Sequence, residues 1–385
     1  DNSRRNDEDE VDKEAEATAL AFAEKFGGDS AVLSKTSDFR KRRLSVTTTQ
    51  AKPQVGPVDL GRKASLSMYR SQEIGQASTV PLPFPDAKRI KSFLSIVGTY
   101  SCHGVEPSYH DEDGVTAKIN QDRGCVVYPF KEDSRHALFS VFDGHGEHGD
   151  VVSHFVMHEL QCTLAAHPSL LDDPPKALKE SYVKVDEALQ VAKSSEAMFS
   201  GTTAVSVLMR EDQLWIANAG DSRAVLAVAS EEGILKAVDL SIDQNPNSPA
   251  EQARIEAAGG FVSPPPEPGL SSRVWLDAEM TQIGLAMARS IGDHAVKSIG
   301  VVAEPEVTKH TIKEGDMFFV LASDGVWEFI DSQQVIDIVN SALDQGTMKA
   351  TQDLIEAAAT KWREVEGDYR DDITAVVVRL PCFPE

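Results

Sequence analysis

Cysteine is scarce. The 385-residue chain has only four, Cys102, Cys125, Cys162 and Cys382, widely scattered and without a C-x-x-C pair. That spacing excludes zinc-ribbon and thioredoxin-type sites and suits a reduced, intracellular compartment. The cytoplasm is the expected location, with nuclear or membrane-anchored placement left open. Long apolar runs are missing as well: nothing approaches the roughly 20 residues of a membrane span. The first residues, Asp1-Asn2-Ser3-Arg4-Arg5, are polar and contain no apolar core of a signal peptide. There is no G-x-x-x-x-G-K-[ST] loop and no kinase catalytic set, which argues against a kinase or nucleotidase.

Positive charge is in short supply: 38 Lys and Arg face 61 Asp and Glu, a net charge of −23. The imbalance is uneven. Residues 1–90 hold 15 basic and 14 acidic residues, so the remainder carries −24. So acidic a body repels nucleic acid and anionic membranes, and no nucleic-acid partner is expected. It suits a carboxylate-built cation site, although surface solvation alone also accounts for acidity. A 41% hydrophobic and 26% charged composition is that of an ordinary soluble globular chain.

Two regions are expected. Residues 1–90 read as a largely flexible N-terminal extension and 91–385 as a catalytic domain. In the extension, residues 7–25 suit a helix ended by Gly27-Gly28, and Pro81, Pro83 and Pro85 mark a linker. Residues 40–70 carry eight basic residues against one acid, Asp59, without sustained apolar periodicity. Beyond residue 91, β-branched runs at Ala137–Phe142, Thr203–Met209, Leu214–Ala219, Arg223–Val228, Met317–Ala322 and Ile373–Arg379 predict strands. Helical spacing links Val152, Phe155, Val156 and Leu160, then Leu178, Tyr182, Val185, Leu189 and Ala192. It recurs in Val335, Ile338, Val339 and Leu343, after a cap at Asp331 or Ser332. Clustered helices and runs of strands predict an α+β fold with antiparallel sheets. Residues 243–275, rich in Pro, Gly and Ser, read as a mobile loop with one short helix around Ala250–Ala258.

Three aspartates stand at strand ends. Asp143 follows Leu138–Phe142 and opens Asp143-Gly144-His145-Gly146; Asp324 follows Phe318–Ser323 and precedes Gly325; Asp371 and Asp372 precede Ile373. A carboxylate at the lip of a buried strand is held rigidly, and hard cations such as Mg2+ and Mn2+ take oxygen ligands. Glycine after aspartate lets a backbone carbonyl approach an ion. A single Asp-Gly pair marks only a turn. His145 and His148 could form a zinc pair, but H-x-x-H is not the helical i, i+4 arrangement. Repetition of acids at strand ends is what favours a site.

Taken in order, Phe142-Asp143-Gly144-His145-Gly146, Ser200-Gly201-Thr202-Thr203-Ala204, Ala217-Asn218-Ala219-Gly220-Asp221-Ser222-Arg223, Leu285-Ala286-Met287-Ala288-Arg289-Ser290-Ile291-Gly292-Asp293, Leu321-Ala322-Ser323-Asp324-Gly325-Val326-Trp327 and Arg370-Asp371-Asp372-Ile373-Thr374 resemble the motifs of the type 2C metal-dependent serine/threonine protein phosphatases, in a plant- or protist-type version. The resemblance spans roughly residues 92–380. It implies a four-layer α-β-β-α sandwich: two stacked antiparallel β-sheets flanked by antiparallel helix pairs. It also implies Asp143 bridging two metals, the Gly144 carbonyl on one, and Asp324 and Asp371 on the other. His145 matches the general acid, and Asp221 and Glu328 match a third cation position. Residues 236–280 correspond to a variable flap beside the site.

The pattern departs from the family in four places. Gln121-Asp122 stands where many members carry Glu-Asp, removing one charge near the metals. Ala117 stands where animal members place a phosphate-binding Arg, leaving Lys118 as the nearest cation, a point charge without a fork. Asp372 replaces a common Asn, and Glu328 a common Asp.

The implied chemistry is hydrolysis of phosphoserine and phosphothreonine in proteins. Two metals roughly 3.5–4 Å apart activate a bridging water and offset phosphoryl charge, and a proton from His145 assists the leaving alkoxide. The alternative is a non-catalytic pseudophosphatase binding protein on the same scaffold, which Gln121 and Ala117 favour. Expected partners are phosphoprotein substrates in signalling, met by a monomer. A basophilic protein kinase is a further candidate, since Lys41-Arg42-Arg43-Leu44-Ser45 and Arg62-Lys63-Ala64-Ser65 resemble its targets. With +7 over residues 40–70, the extension is expected to contact the acidic body and to be released by phosphate on Ser45 or Ser65.

Overall fold

The computed structural model describes residues 44–45, 87–108, 114–266 and 270–381. The helix expected at 7–25, most of the basic stretch, Ser65 and the prolines at 81, 83 and 85 lie outside the described residues. Two compact units are present: one contains Asn245–Ala288 and Asp293–Val302 with the segment around residue 44, and the other contains the rest.

The larger unit is built on ten strands. These are β1 (Val97–Cys102), β2 (Arg123–Val127), β3 (His136–Phe142), β4 (Ala204–Arg210), β5 (Gln213–Ala219), β6 (Arg223–Ala229), β7 (Leu235–Asp239), β8 (Glu306–Thr311), β9 (Asp316–Ala322) and β10 (Ile373–Arg379). One sheet runs β8-β5-β4-β3-β2 and the other β7-β6-β9-β10-β1. Every pairing within them is antiparallel.

Four principal helices flank them: α1 (Gly149–Ala166), α2 (Pro174–Ala192), α3 (Ser332–Ala342) and α4 (Thr347–Glu366). Alternation along β9 distributes its side chains. Phe319 and Leu321 join Phe139, Val207 and Ile216 of the other sheet in a shared core, where Phe139 and Phe319 meet edge-to-face at 5.4 Å. Phe318 and Val320 turn instead toward Val335, Val339, Leu354 and Trp362 of α3 and α4. On the far side Leu138, Leu208 and Trp215 pack on Val156, Leu160, Tyr182 and Leu189 of α1 and α2. The result is the expected α-β-β-α sandwich. All seven residues of β3 are buried because both its faces are covered, so it reads as a mostly apolar run without alternation, broken only by His136 and Ser140.

The helix starts follow local chemistry. Asp173 caps α2 from in front of Pro174, and Asp331 forms a capping box with Gln334 at the start of α3. The sequence reading did not anticipate α4. Much of its buried face is Thr347, Ala350, Thr351 and Ala358, with the Thr351 hydroxyl satisfied by the Thr347 carbonyl at 2.8 Å. Small and hydroxyl-bearing residues give a weak apolar period.

The smaller unit corrects the expectation of a loop over 243–275. It has the helix Pro249–Ala257, close to where one was expected, and a sheet in the order Leu44–Ser45, Gly284–Leu285, Arg273–Trp275, Phe261–Ser263. Leu44 pairs with Leu285 and Ser45 with Gly284. Buried Arg273 donates to the Gly284 carbonyl at 2.6 Å, and burial pushes its pKa down to about 10.

Candidate active site

The motif aspartates collect where strands of the two sheets end, all within the larger unit. Pairing of Arg123 with Phe142 sets Asp122 across from Asp143 at the β2/β3 ends. Pairing of Arg223 with Ala322 brings the Gly220-Asp221-Ser222 turn level with Ser323, next to Asp324. Pairing of Ala322 with Ala375 places Asp324 near the Asp371-Asp372 entry to β10. Gly325 fits there because any Cβ would lie 2.1 Å from the Asp372 carbonyl oxygen. Gly220 makes its turn at φ +118, where a Cβ would also strike Thr203.

Buried hydroxyls connect these ends. The Asp143 amide donates to Thr203 Oγ1 at 3.1 Å, the Thr203 amide donates to the Asp143 carbonyl at 2.9 Å, and the Thr203 and Ser222 hydroxyls are 2.6 Å apart. Ser323 and Thr374 exchange hydrogen bonds: the Ser323 amide donates to the Thr374 carbonyl at 3.1 Å, and the Thr374 amide to Ser323 Oγ at 3.0 Å. The Ser323 hydroxyl then donates to Asp122 Oδ2 at 2.7 Å. Arg223 steadies the Asp221 turn by holding Asp243 through two nitrogens, at 3.0 and 2.7 Å, and by stacking over Trp327.

The individual side chains are placed as follows. Asp143, Gly144 and His145 are buried, and Gly144-His145 pairs with Gly201-Thr202 in a three-stranded ribbon. Asp324 opens a short helix to Trp327, and the Glu328 amide donates to its carbonyl at 2.9 Å. Asp221, Asp324, Glu328 and Asp371 are half-buried. Gln121 donates from Nε2 to the Gly146 carbonyl at 2.8 Å and accepts from the Ser153 hydroxyl at 2.6 Å through its own carbonyl. A glutamate would have no hydrogen for Gly146, so here the amide ties down the loop that carries His145. Asp372 accepts from the Gly104 and Gln121 amides and so staples two loops.

Ala117 ends a short strand and is exposed, whereas Lys118 turns its ammonium onto Asp371 Oδ1 at 2.8 Å and Tyr369 Oη at 3.2 Å. Burial opposes the charge, but the charges of Asp371, Tyr369 and Asp372 and the hydrogen bond to Asp371 together outweigh it, and the Lys118 pKa is held well above its ordinary value. Asp122 behaves in the opposite way: burial, reinforced by the charge of Asp372, pushes its pKa up to about 7.

Among the described residues no three His, Cys, Asp or Glu side chains stand close enough to hold a metal ion. The carboxylates are engaged by protein donors: Asp371 by Lys118, Asp372 by amides, Asp122 by Ser323. The donor chemistry nevertheless fits a hard cation. The set is oxygen-rich, an ammonium already sits on Asp371, and Asp122 Oδ1 is buried without a hydrogen bond. The roles of Ser323 and Thr203 were missed in the sequence reading, although both lie inside the motifs; nothing local pointed to Tyr369.

Comparison with known proteins bears on family and fold. The family described as protein phosphatase 2C matches residues 105–364. The chain is 36% identical over 324 residues to "Probable protein phosphatase 2C 35" of Arabidopsis thaliana, covering 78% of this chain and 87% of that one. It is 38% identical over 278 residues to "Probable protein phosphatase 2C 34" of the same plant, covering 67% and 76%. Its fold is shared with a serine-threonine phosphatase 2C from Toxoplasma gondii, at TM-score 0.64 and 21% identity over 74% of this chain and 94% of that one. No helix among the described residues is long and apolar enough to cross a membrane. The chain belongs to the protein phosphatase 2C family, the serine/threonine protein phosphatases whose motifs its sequence resembles.

Proposed function

We propose that the chain hydrolyses phosphoserine and phosphothreonine monoesters in proteins with the help of Mg2+ or Mn2+, two per site and a third in some states. The observation that carries this is the placement of Asp143, Asp324 and Asp371 at the ends of neighbouring strands, beside two sets of hydroxyl contacts, Thr203 with Asp143 and Ser222, and Ser323 with Asp122 and Thr374. Asp143, the Gly144 carbonyl, Asp324 and Asp371 would hold the two cations, and Asp221 and Glu328 the third. Bound there, the cations would make water a stronger nucleophile and offset phosphoryl charge. The protein supplies the rest. Gln121 and Asp372 fix the loops that carry the ligands, and a His145 ring nitrogen gives its proton to the departing serine or threonine oxygen.

A second reading, a non-catalytic binding protein, is favoured by the Lys118–Asp371 ion pair and the neutral Gln121. Hydrolysis of para-nitrophenyl phosphate by the purified chain separates them. Turnover that requires Mn2+ supports the enzyme; none at any Mn2+ concentration, with the fold intact, supports the binding protein. Phosphorylation of Ser45 by a basophilic protein kinase would fall on the strand that pairs with Gly284-Leu285 in the smaller unit's sheet.

A further inference from the structure

We infer that Lys118 is a resident counter-cation of Asp371 which a divalent cation has to displace, so that this one side chain sets how tightly the site takes Mg2+ or Mn2+. The inference rests on the proposed function and assigns Lys118 a task other than binding phosphate.

The ammonium is held by a built cradle. Besides Asp371 Oδ1 at 2.8 Å and Tyr369 Oη at 3.2 Å, it lies 5.0 Å from the centre of the Tyr369 ring. That ring is buried and meets Trp362 at 6.0 Å, and Trp362 Nε1 donates to the Gly325 carbonyl at 2.7 Å, beside Asp324. The Lys118 amide donates to the Gly104 carbonyl at 2.9 Å, and its stem lies so close to Gly104 that a Cβ there would be 2.9 Å from Lys118 Cδ. The pair is only 21% and 23% exposed, so solvent screens it incompletely.

A fixed positive charge on a ligand carboxylate repels a second cation and competes for the same oxygens. Lysine suits exchange, being a point charge on a flexible four-carbon stem; a guanidinium would grip the carboxylate through two nitrogens. Substitutions at this one position therefore move affinity in opposite directions.

The test is calorimetric titration of Mn2+ into the metal-stripped full chain, without substrate. Lys118→Met should lower the Mn2+ Kd about tenfold or more, and Lys118→Arg should raise it. In an Asp371→Asn background the Lys118→Met gain should disappear. Unchanged or weaker Mn2+ binding by a folded Lys118→Met protein overturns the inference; if that variant does not fold, tighter binding by Lys118→Arg overturns it instead. A wild-type chain that neither binds Mn2+ nor releases phosphate overturns the proposed function as well. A wild type that does both, with no response to Lys118 substitution, overturns this inference alone.

Discussion

The Ser323 hydroxyl donates to Asp122 Oδ2 at 2.7 Å, and this buried contact joins the end of β9 in one sheet to the residue that enters β2 in the other. It holds a carboxyl that is itself 2% exposed.

That burial gives a pH dependence with a definite sign. The Asp122 pKa rises from an ordinary 3.8 to about 7 on folding, so between those values the native state holds a proton that the unfolded chain releases. The stabilisation is complete below the unfolded value and is lost as pH rises through the folded one, at no more than roughly 1.4 kcal/mol per pH unit. Urea midpoints of chelator-treated protein should fall between pH 5 and pH 7, and Asp122→Asn should flatten the fall. A midpoint that climbs over this range, with no change in the variant, would mean that Asp122 is ionised throughout.

The core between the sheets depends on Phe139 against Phe319. Phe139→Ala should cost about 3–5 kcal/mol, the transfer cost of the ring plus the cavity it leaves. Denaturant unfolding measures this, and a cost below about 1 kcal/mol would be incompatible with a ring closed in by both sheets.

The sequence exposed local features and hid relations between distant ones. Ile373–Arg379 is a strand at the expected bounds, and Asp331 caps its helix, because alternation and capping are short-range. Sheet order was not legible: β1 lies beside β10, whose residues come some 270 positions later. In the site, Asp143 and Asp324 could be read as acids at strand ends. That Lys118 turns to Asp371 could not, since the partners are 253 residues apart and Ala117 directed attention to phosphate instead. Residues 243–275 misled through composition: their Pro, Gly and Ser lie around short strands such as Phe261–Ser263 and Arg273–Trp275.

His145 offers a test that separates chemistry from architecture. If its ring protonates the leaving oxygen, His145→Gln should slow release from a phosphothreonine peptide about a hundredfold or more while affecting para-nitrophenyl phosphate much less, because nitrophenolate departs with little proton help. Steady-state rates on both substrates decide it. Equal losses would make His145, buried at 3% exposure, a structural member of its loop.

The most direct measurement is release of inorganic phosphate from a phosphothreonine peptide by the full chain, titrated with Mn2+ and then with chelator, for the wild type and Asp324→Asn at matched folded concentration. Deleting one proposed anionic ligand from the opening of the Asp324–Trp327 helix should leave the circular dichroism spectrum unchanged and remove most turnover. Wild-type activity should rise to saturation with Mn2+ and vanish with chelator. Wild-type turnover by Asp324→Asn at saturating Mn2+, or phosphate release indifferent to chelator, would contradict the account.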